Sequence, residues 1–207
     1  MFKVGSQLFT SGGPRAIEKL SSLGFDIFLD LKFHDIPNTV MHAVAAAARF
    51  DSVRLMTIHA SGGFEMMRAA REAAGRTTGR PKLLGVTVLT SLDSAALKRV
   101  GIAGPAGSRV VALARLAKEA GLDGVVASAH EISAIRKACG PKFLIVVPGI
   151  RPGSAGADDQ SRIATPGDAI RAGADYLVVG RPITGAANPR EAALRVVAEI
   201  EAASRPE

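Results

Sequence analysis

The chain has 207 residues, 47% of them apolar, a single cysteine and a net charge of +7. One cysteine excludes an intrachain disulfide, and no apolar run approaches the ~20 residues of a membrane span, so a reducing cytoplasm is the expected home. Lys and Arg are scattered, Trp is absent and Tyr occurs once, which argues against a base-stacking nucleic-acid surface; a small anionic substrate fits the charge equally well, and a basic solvated surface is the expected source of most of the excess.

Short runs rich in Val, Ile and Leu alternate with helical patterns from one end to the other. The first strand is expected at 2–6 and a helix at 14–23. A strand at 26–33 leads to a helix at 37–49, and a strand at 52–60 to a helix at 63–75. Strands at 82–91, 123–128, 143–149 and 175–182 are followed by helices at 106–120, 129–138, 166–172 and 189–203. Pro14, Pro37, Pro166 and Pro189 are placed to open helices, and Gly24, Gly121, Gly140 and Gly173 to close them. Cys139 lies in a helical pattern without a neighbouring His and reads as a packing residue.

One phrase recurs: a helix, then "LG" or "AG", then a residue pair ending in Asp, then a strand, as in "SSLGFDIF", "KEAGLDGVV" and "RAGADYLVV". A β/α unit repeated with short loops, and no linker, predicts one domain over 1–207 of the α/β class, either a TIM (β/α)8-type barrel or a doubly wound sheet. Seven units are counted where a closed barrel has eight.

Polar residues gather at the C-terminal ends of these strands, the face that carries active sites in barrel enzymes. Asp30 and Lys32 stand two apart in an apolar strand, so both point to one face, and Asp35 follows in the loop. Lys3, on the adjacent strand, extends this to an alternating Lys–Asp–Lys–Asp set. Buried charges are costly unless paired, and negative charge beside a lysine favours its charged form, which makes a proton donor. A structural ion-pair cluster is the competing reading. The last strand ends "VVGRPIT", where Gly180 and Arg181 suit a phosphate, and the loop 148–162 has the Gly and Pro content of a lid.

The stretches "FLDLKFHDIPNT", "HASGG", "GVTVLTS", "PGIRP" with a downstream "DDQ", and "VVGRPIT" resemble, in order and spacing, the orotidine 5′-phosphate decarboxylase family over residues 2–200. The resemblance implies conversion of orotidine 5′-phosphate to UMP and CO2 in pyrimidine synthesis, without metal or organic cofactor. It implies Lys32 as proton donor to C6 of the pyrimidine, Asp30 against the substrate carboxylate, and Lys3 and Asp35 completing the network. It implies that Asp35 and Thr39 are contributed across a homodimer, that Thr90 meets the pyrimidine, that Arg151 and Gln160 belong to the closing loop, and that Gly180 and Arg181 hold phosphate. His34 and His59 are given supporting positions only.

Family members ordinarily carry one more β/α unit before the strand that here begins at "MFKVG". The reading therefore expects a barrel lacking its first unit, with open strand edges and low stability or activity in this form. It expects an active form longer by about 20–40 residues, the size of one unit. The alternatives are a sugar-phosphate decarboxylase or synthase of the same superfamily, usually Mg2+-dependent, and an inactive phosphate-binding fragment.

Overall fold

The computed structural model describes residues 1–153 and 164–204. Among them the chain alternates strand and helix: β1 (Phe2–Gly5), α1 (Ser6–Gly12), α2 (Pro14–Ser22), β2 (Ile27–Phe33), α3 (Pro37–Ala47), β3 (Val53–His59), α4 (Phe64–Gly75), β4 (Lys82–Val86), α5 (Ser94–Arg99), α6 (Ala106–Glu119), β5 (Gly124–Val126), α7 (Ile132–Cys139), β6 (Leu144–Val147), α8 (Pro166–Arg171), β7 (Tyr176–Leu177), α9 (Arg181–Thr184) and α10 (Pro189–Ser204). This is the α/β class, with the seven-strand alternation of a β/α barrel. Two compact units make up the chain, one of residues 1–87 and 113–125, the other of 88–112 and 126–207.

In the first unit β1, β2, β3 and β4 pair in chain order and in parallel. Their near-continuous apolar sequences bury both faces: Ile27, Leu29, Leu55, Met56, Ile58, Leu83 and Leu84 are all at most 2% exposed. Helices α3 and α4 pack together through Val40 and Val44 on one and Met66, Met67 and Ala70 on the other. Gly85 leaves room for this layer, since a Cβ there would sit 3.2 Å from Ala117 Cβ and 3.3 Å from Leu122 Cδ1. In the second unit β6 and β7 pair in parallel, and α10 packs on α8, burying Ala192, Val196 and Ala169. Cys139 is buried in α7, as its pattern predicts.

The recurring phrase has a physical basis. Gly24, Gly121 and Gly173 take φ of 78°, 82° and 100° and reverse the chain after α2, α6 and α8. Each time, the next residue's N–H donates back five positions: Phe25 to Leu20, Leu122 to Ala117, Ala174 to Ala169. The Asp that follows then fastens the preceding strand at its start. Asp123 donates its N–H to Leu83 O and accepts the Leu83 N–H on Oδ2 at 2.8 Å. Asp175 does the same to Ile145, accepting its N–H at 2.7 Å. Asp26 differs: its backbone O accepts from Phe2, while its carboxylate meets Arg54 of β3 at 2.8 Å.

The strands are shorter than their apolar runs, because the ladder ends where each βα loop turns away. The run 82–91 is strand only to Val86, and 175–182 only over Tyr176–Leu177. Three helices escape the sequence pattern. α5 is N-capped by Asp93, which accepts from Ala96 N–H at 2.7 Å, a readable signal. α1 and α9 are seven and four residues long, too short for periodicity to register. The four proline helix starts hold.

Candidate active site

The site begins with an irregularity in β2. Against β3, Leu29 pairs with Met56, but the next partners are Phe33 and Ile58, so β2 carries two extra residues there. Lys32 lies inside this bulge with φ 53°, a left-handed conformation that costs a residue with a Cβ roughly 1–2 kcal/mol. The strand expected over 26–33 forms over Ile27–Phe33, but its ladder to β3 is interrupted across its two charged residues, while Asp30 stays in register with Gly5 of β1. A bulge re-aims side chains at the point where the strand leaves its ladder, and the ordinary alternation of β2 stops where the chemistry starts.

Asp30 is 8% exposed and sits at the centre of a charged cluster. Its Oδ2 faces Lys32 Nζ at 2.8 Å and Lys3 Nζ at 3.4 Å, and its Oδ1 accepts from Thr57 Oγ1 at 3.0 Å. Burial alone pushes the Asp30 carboxyl up. The hydrogen bond and charge of Lys32, the charge of Lys3 and the Thr57 hydroxyl outweigh it and hold the group below its ordinary value of 3.8. Both lysine side chains remain about one-third exposed, 33% for Lys32 and 35% for Lys3, so the ammonium groups keep an open side for a ligand. Gly5, opposite Asp30 in the ladder, makes space: a Cβ there would lie 2.8 Å from Lys3 Nζ.

His59 ends β3, half-buried, with its ring centroid 5.1 Å from that of His34. Burial, then the nearby His34 and Lys32, push its pKa below the ordinary 6.5, against the pull of Asp30. Gly62 of "HASGG" is required by packing, since a Cβ there would collide with the Met66 thioether and come within 3.2 Å of His34 Cδ2.

Asp35 does not join this chain's own cluster, which has three charged members rather than four. The loop after Phe33 carries it out to the surface, where its carboxylate accepts from the Ile36 N–H at 2.7 Å. Thr39, in the first turn of α3, is also exposed. Thr57 was not legible as a site residue. Its one signal is a polar side chain inside the apolar run "SVRLMTIHA".

In the second unit Thr90 is half-buried in the turn after β4. Arg151 is 6% exposed, its Nη1 donates to Ile150 O at 3.2 Å, and its N–H donates to Ala164 O. Gly180 caps α9 and is exposed along with Arg181, and a Cβ on Gly180 would meet nothing within 4 Å, so packing does not demand a glycine there. Gln160 and most of the expected lid lie outside the described residues. No group of three or more His, Cys, Asp or Glu among the described residues could hold a metal ion.

Fold and cluster define a β/α-barrel protein that carries a lysine–carboxylate–lysine set at its C-terminal strand ends. The chain belongs to the Orotidine 5'-phosphate decarboxylase / HUMPS family, whose model matches residues 1–196. A relative from Trichlorobacter lovleyi named orotidine 5'-phosphate decarboxylase is 57% identical over 205 residues, covering 98% of this chain and 85% of its own. One of the same name from Geobacter sp. is 53% identical over 206 residues, again with 98% and 85% covered. The crystal structure of orotidine 5'-phosphate decarboxylase from Lactobacillus acidophilus matches with a TM-score of 0.84 and 40% identity, covering 96% of this chain and 85% of that one.

Proposed function

We propose that the chain is a carboxy-lyase that converts orotidine 5′-phosphate to UMP and CO2 in pyrimidine biosynthesis. The observation that carries this is the buried Asp30 carboxylate held between Lys32 and Lys3, whose side chains stay about one-third exposed. In the reaction the bond from pyrimidine C6 to the carboxylate breaks and its electron pair stays on C6. A fixed ammonium beside that carbon stabilises the developing charge without having to reorganise. Lys32 then delivers a proton from Nζ to C6 and regains one from water, a step typically worth ~10²–10⁴ in rate. Asp30 fixes the direction of both lysines and places negative charge beside the departing carboxylate.

The remaining assignments follow the family pattern. Gly180 and Arg181 bind the phosphate, with the open space at Gly180 admitting it. The same pattern gives Thr90 to the pyrimidine and Arg151 to the closing loop, whose other expected member, Gln160, lies outside the described residues. Asp35 and Thr39, both exposed, serve the site of a second copy in a homodimer. No helix among the described residues is long and apolar enough to cross a membrane, in keeping with a cytoplasmic enzyme. The test is conversion of orotidine 5′-phosphate by the purified chain, or by a longer natural form that contains it. The expected result is equimolar UMP and CO2, unaffected by EDTA, which separates it from a Mg2+-dependent synthase. Folded protein that leaves the substrate intact overturns the proposal.

A further inference from the structure

We propose that Thr57 is a positioning residue for the Lys3–Asp30–Lys32 cluster, an inference that rests on the decarboxylase reading of that cluster. Thr57 lies in the middle of β3 and is fully buried, between Met56 and Ile58, which are buried too. A hydroxyl in such a strand is costly unless it is bonded on both its donor and its acceptor side. Thr57 meets this need entirely through the site. Its Oγ1 accepts the Lys32 N–H at 3.0 Å and donates to Asp30 Oδ1 at 3.0 Å.

Each bond does a separate task. The Lys32 N–H falls in the bulge, where the β2–β3 register is interrupted between Leu29 and Phe33. The Thr57 hydroxyl takes the place of the missing ladder acceptor and secures Lys32 at φ 53°, the conformation that sets where its side chain starts. The second bond anchors Asp30 Oδ1 and so fixes the rotation that presents Oδ2 to Lys32 at 2.8 Å and Lys3 at 3.4 Å. One hydroxyl thereby fixes the backbone of the proton donor and the rotation of the carboxylate that orients it. It also helps keep Asp30 ionised.

Thr57→Val keeps the shape and the β-branch and removes only the hydroxyl. The expected result is a kcat lowered about 100-fold, the scale of a sub-ångström to 1 Å misplacement of a catalytic group, with KM changed little. Thr57→Ser restores kcat to within a few-fold. Carbon-13 NMR of the Asp30 carboxyl, which faces Lys3, Lys32 and the Thr57 hydroxyl with His59 nearby, shows its titration moving upward in Thr57→Val and not in Thr57→Ser. Wild-type kcat in Thr57→Val, or equal losses in both variants, overturns the proposal. Should Thr57→Val fail to fold, amide exchange on the unsubstituted chain decides: the Lys32 N–H is protected if Thr57 holds it, and exchange at the rate of an open loop contradicts it. That measurement needs no turnover, so it separates a failure of this inference from a failure of the decarboxylase reading.

Discussion

Two ionic clusters in this molecule use similar parts to opposite ends. In the second unit Arg136 of α7 meets Asp175 and donates to Gly173 O at 2.7 Å, Phe143 O and Pro141 O, while Asp175 also accepts the Ile145 N–H. Its donors are spent on the protein's own backbone, and it ties α7, β6 and the start of β7 together. In the first unit Asp30 likewise has partners on both oxygens, but Lys3 and Lys32 share one oxygen and keep the rest of their donor capacity open. The first arrangement is complete without a ligand and the second is not. A cluster that satisfies itself stabilises a fold; one that leaves charged donors unfilled beside a buried carboxylate, in a strand bent to present them, is built to receive something.

Substitutions that exchange activity for stability between the two clusters test this contrast. The largest effect is expected from Asp30→Asn, which removes the fixed charge between the lysines. Turnover should fall by on the order of 10²–10³, the cost of losing one preorganised electrostatic group, in a protein whose circular dichroism is unchanged. Arg136→Met should do the reverse. It leaves several carbonyls without their donor and Asp175 without its charged partner, and should lower unfolding free energy by roughly 2–4 kcal/mol in urea titrations, while the folded fraction keeps its kcat.

Acid stability separates the clusters further. Asp30 titrates lower in the folded chain than the unfolded value of 3.8, so the unfolded chain binds more protons between the two. That contribution is complete above pH 3.8 and is lost as pH falls through the folded value. His59 is also lowered, from 6.5, so its contribution is complete above that pH and declines below it. Urea titrations from pH 3 to 8 should show both limbs in the wild type, the upper one missing in His59→Gln and the lower one reduced in Asp30→Asn. The smallest effects belong to the glycines. Gly62→Ala forces Met66 to repack and should cost about 1–3 kcal/mol. Gly5→Ala displaces only the tip of Lys3, and should reduce kcat/KM by a few-fold with little change in melting temperature.

Much of this was legible because the repeating unit writes its own punctuation. The Gly–x–Asp phrase encodes a helix reversal followed by a strand clamp, and both bonds recur at Asp123 and Asp175. Asp30, Lys32 and Lys3 stood out because charge in an apolar strand has few structural excuses. The bulge was hidden, because register is a property of two strands and "DLKF" alone reads as regular alternation. Thr57 was hidden for the same reason: its partners lie 25 and 27 positions away. Where Asp35 acts was not legible from spacing alone, because closeness in sequence to Lys32 does not survive the turn that leads into α3, where Asp35 is exposed.

The central claim is that Lys32 donates the proton at the open cluster, and Lys32→Ala tests it most directly. Turnover of orotidine 5′-phosphate and thermal melting should be measured on the same samples of both proteins. The account predicts a rate loss of about 10²–10⁴ with a melting temperature close to wild type. Unchanged turnover in a folded Lys32→Ala protein would contradict it.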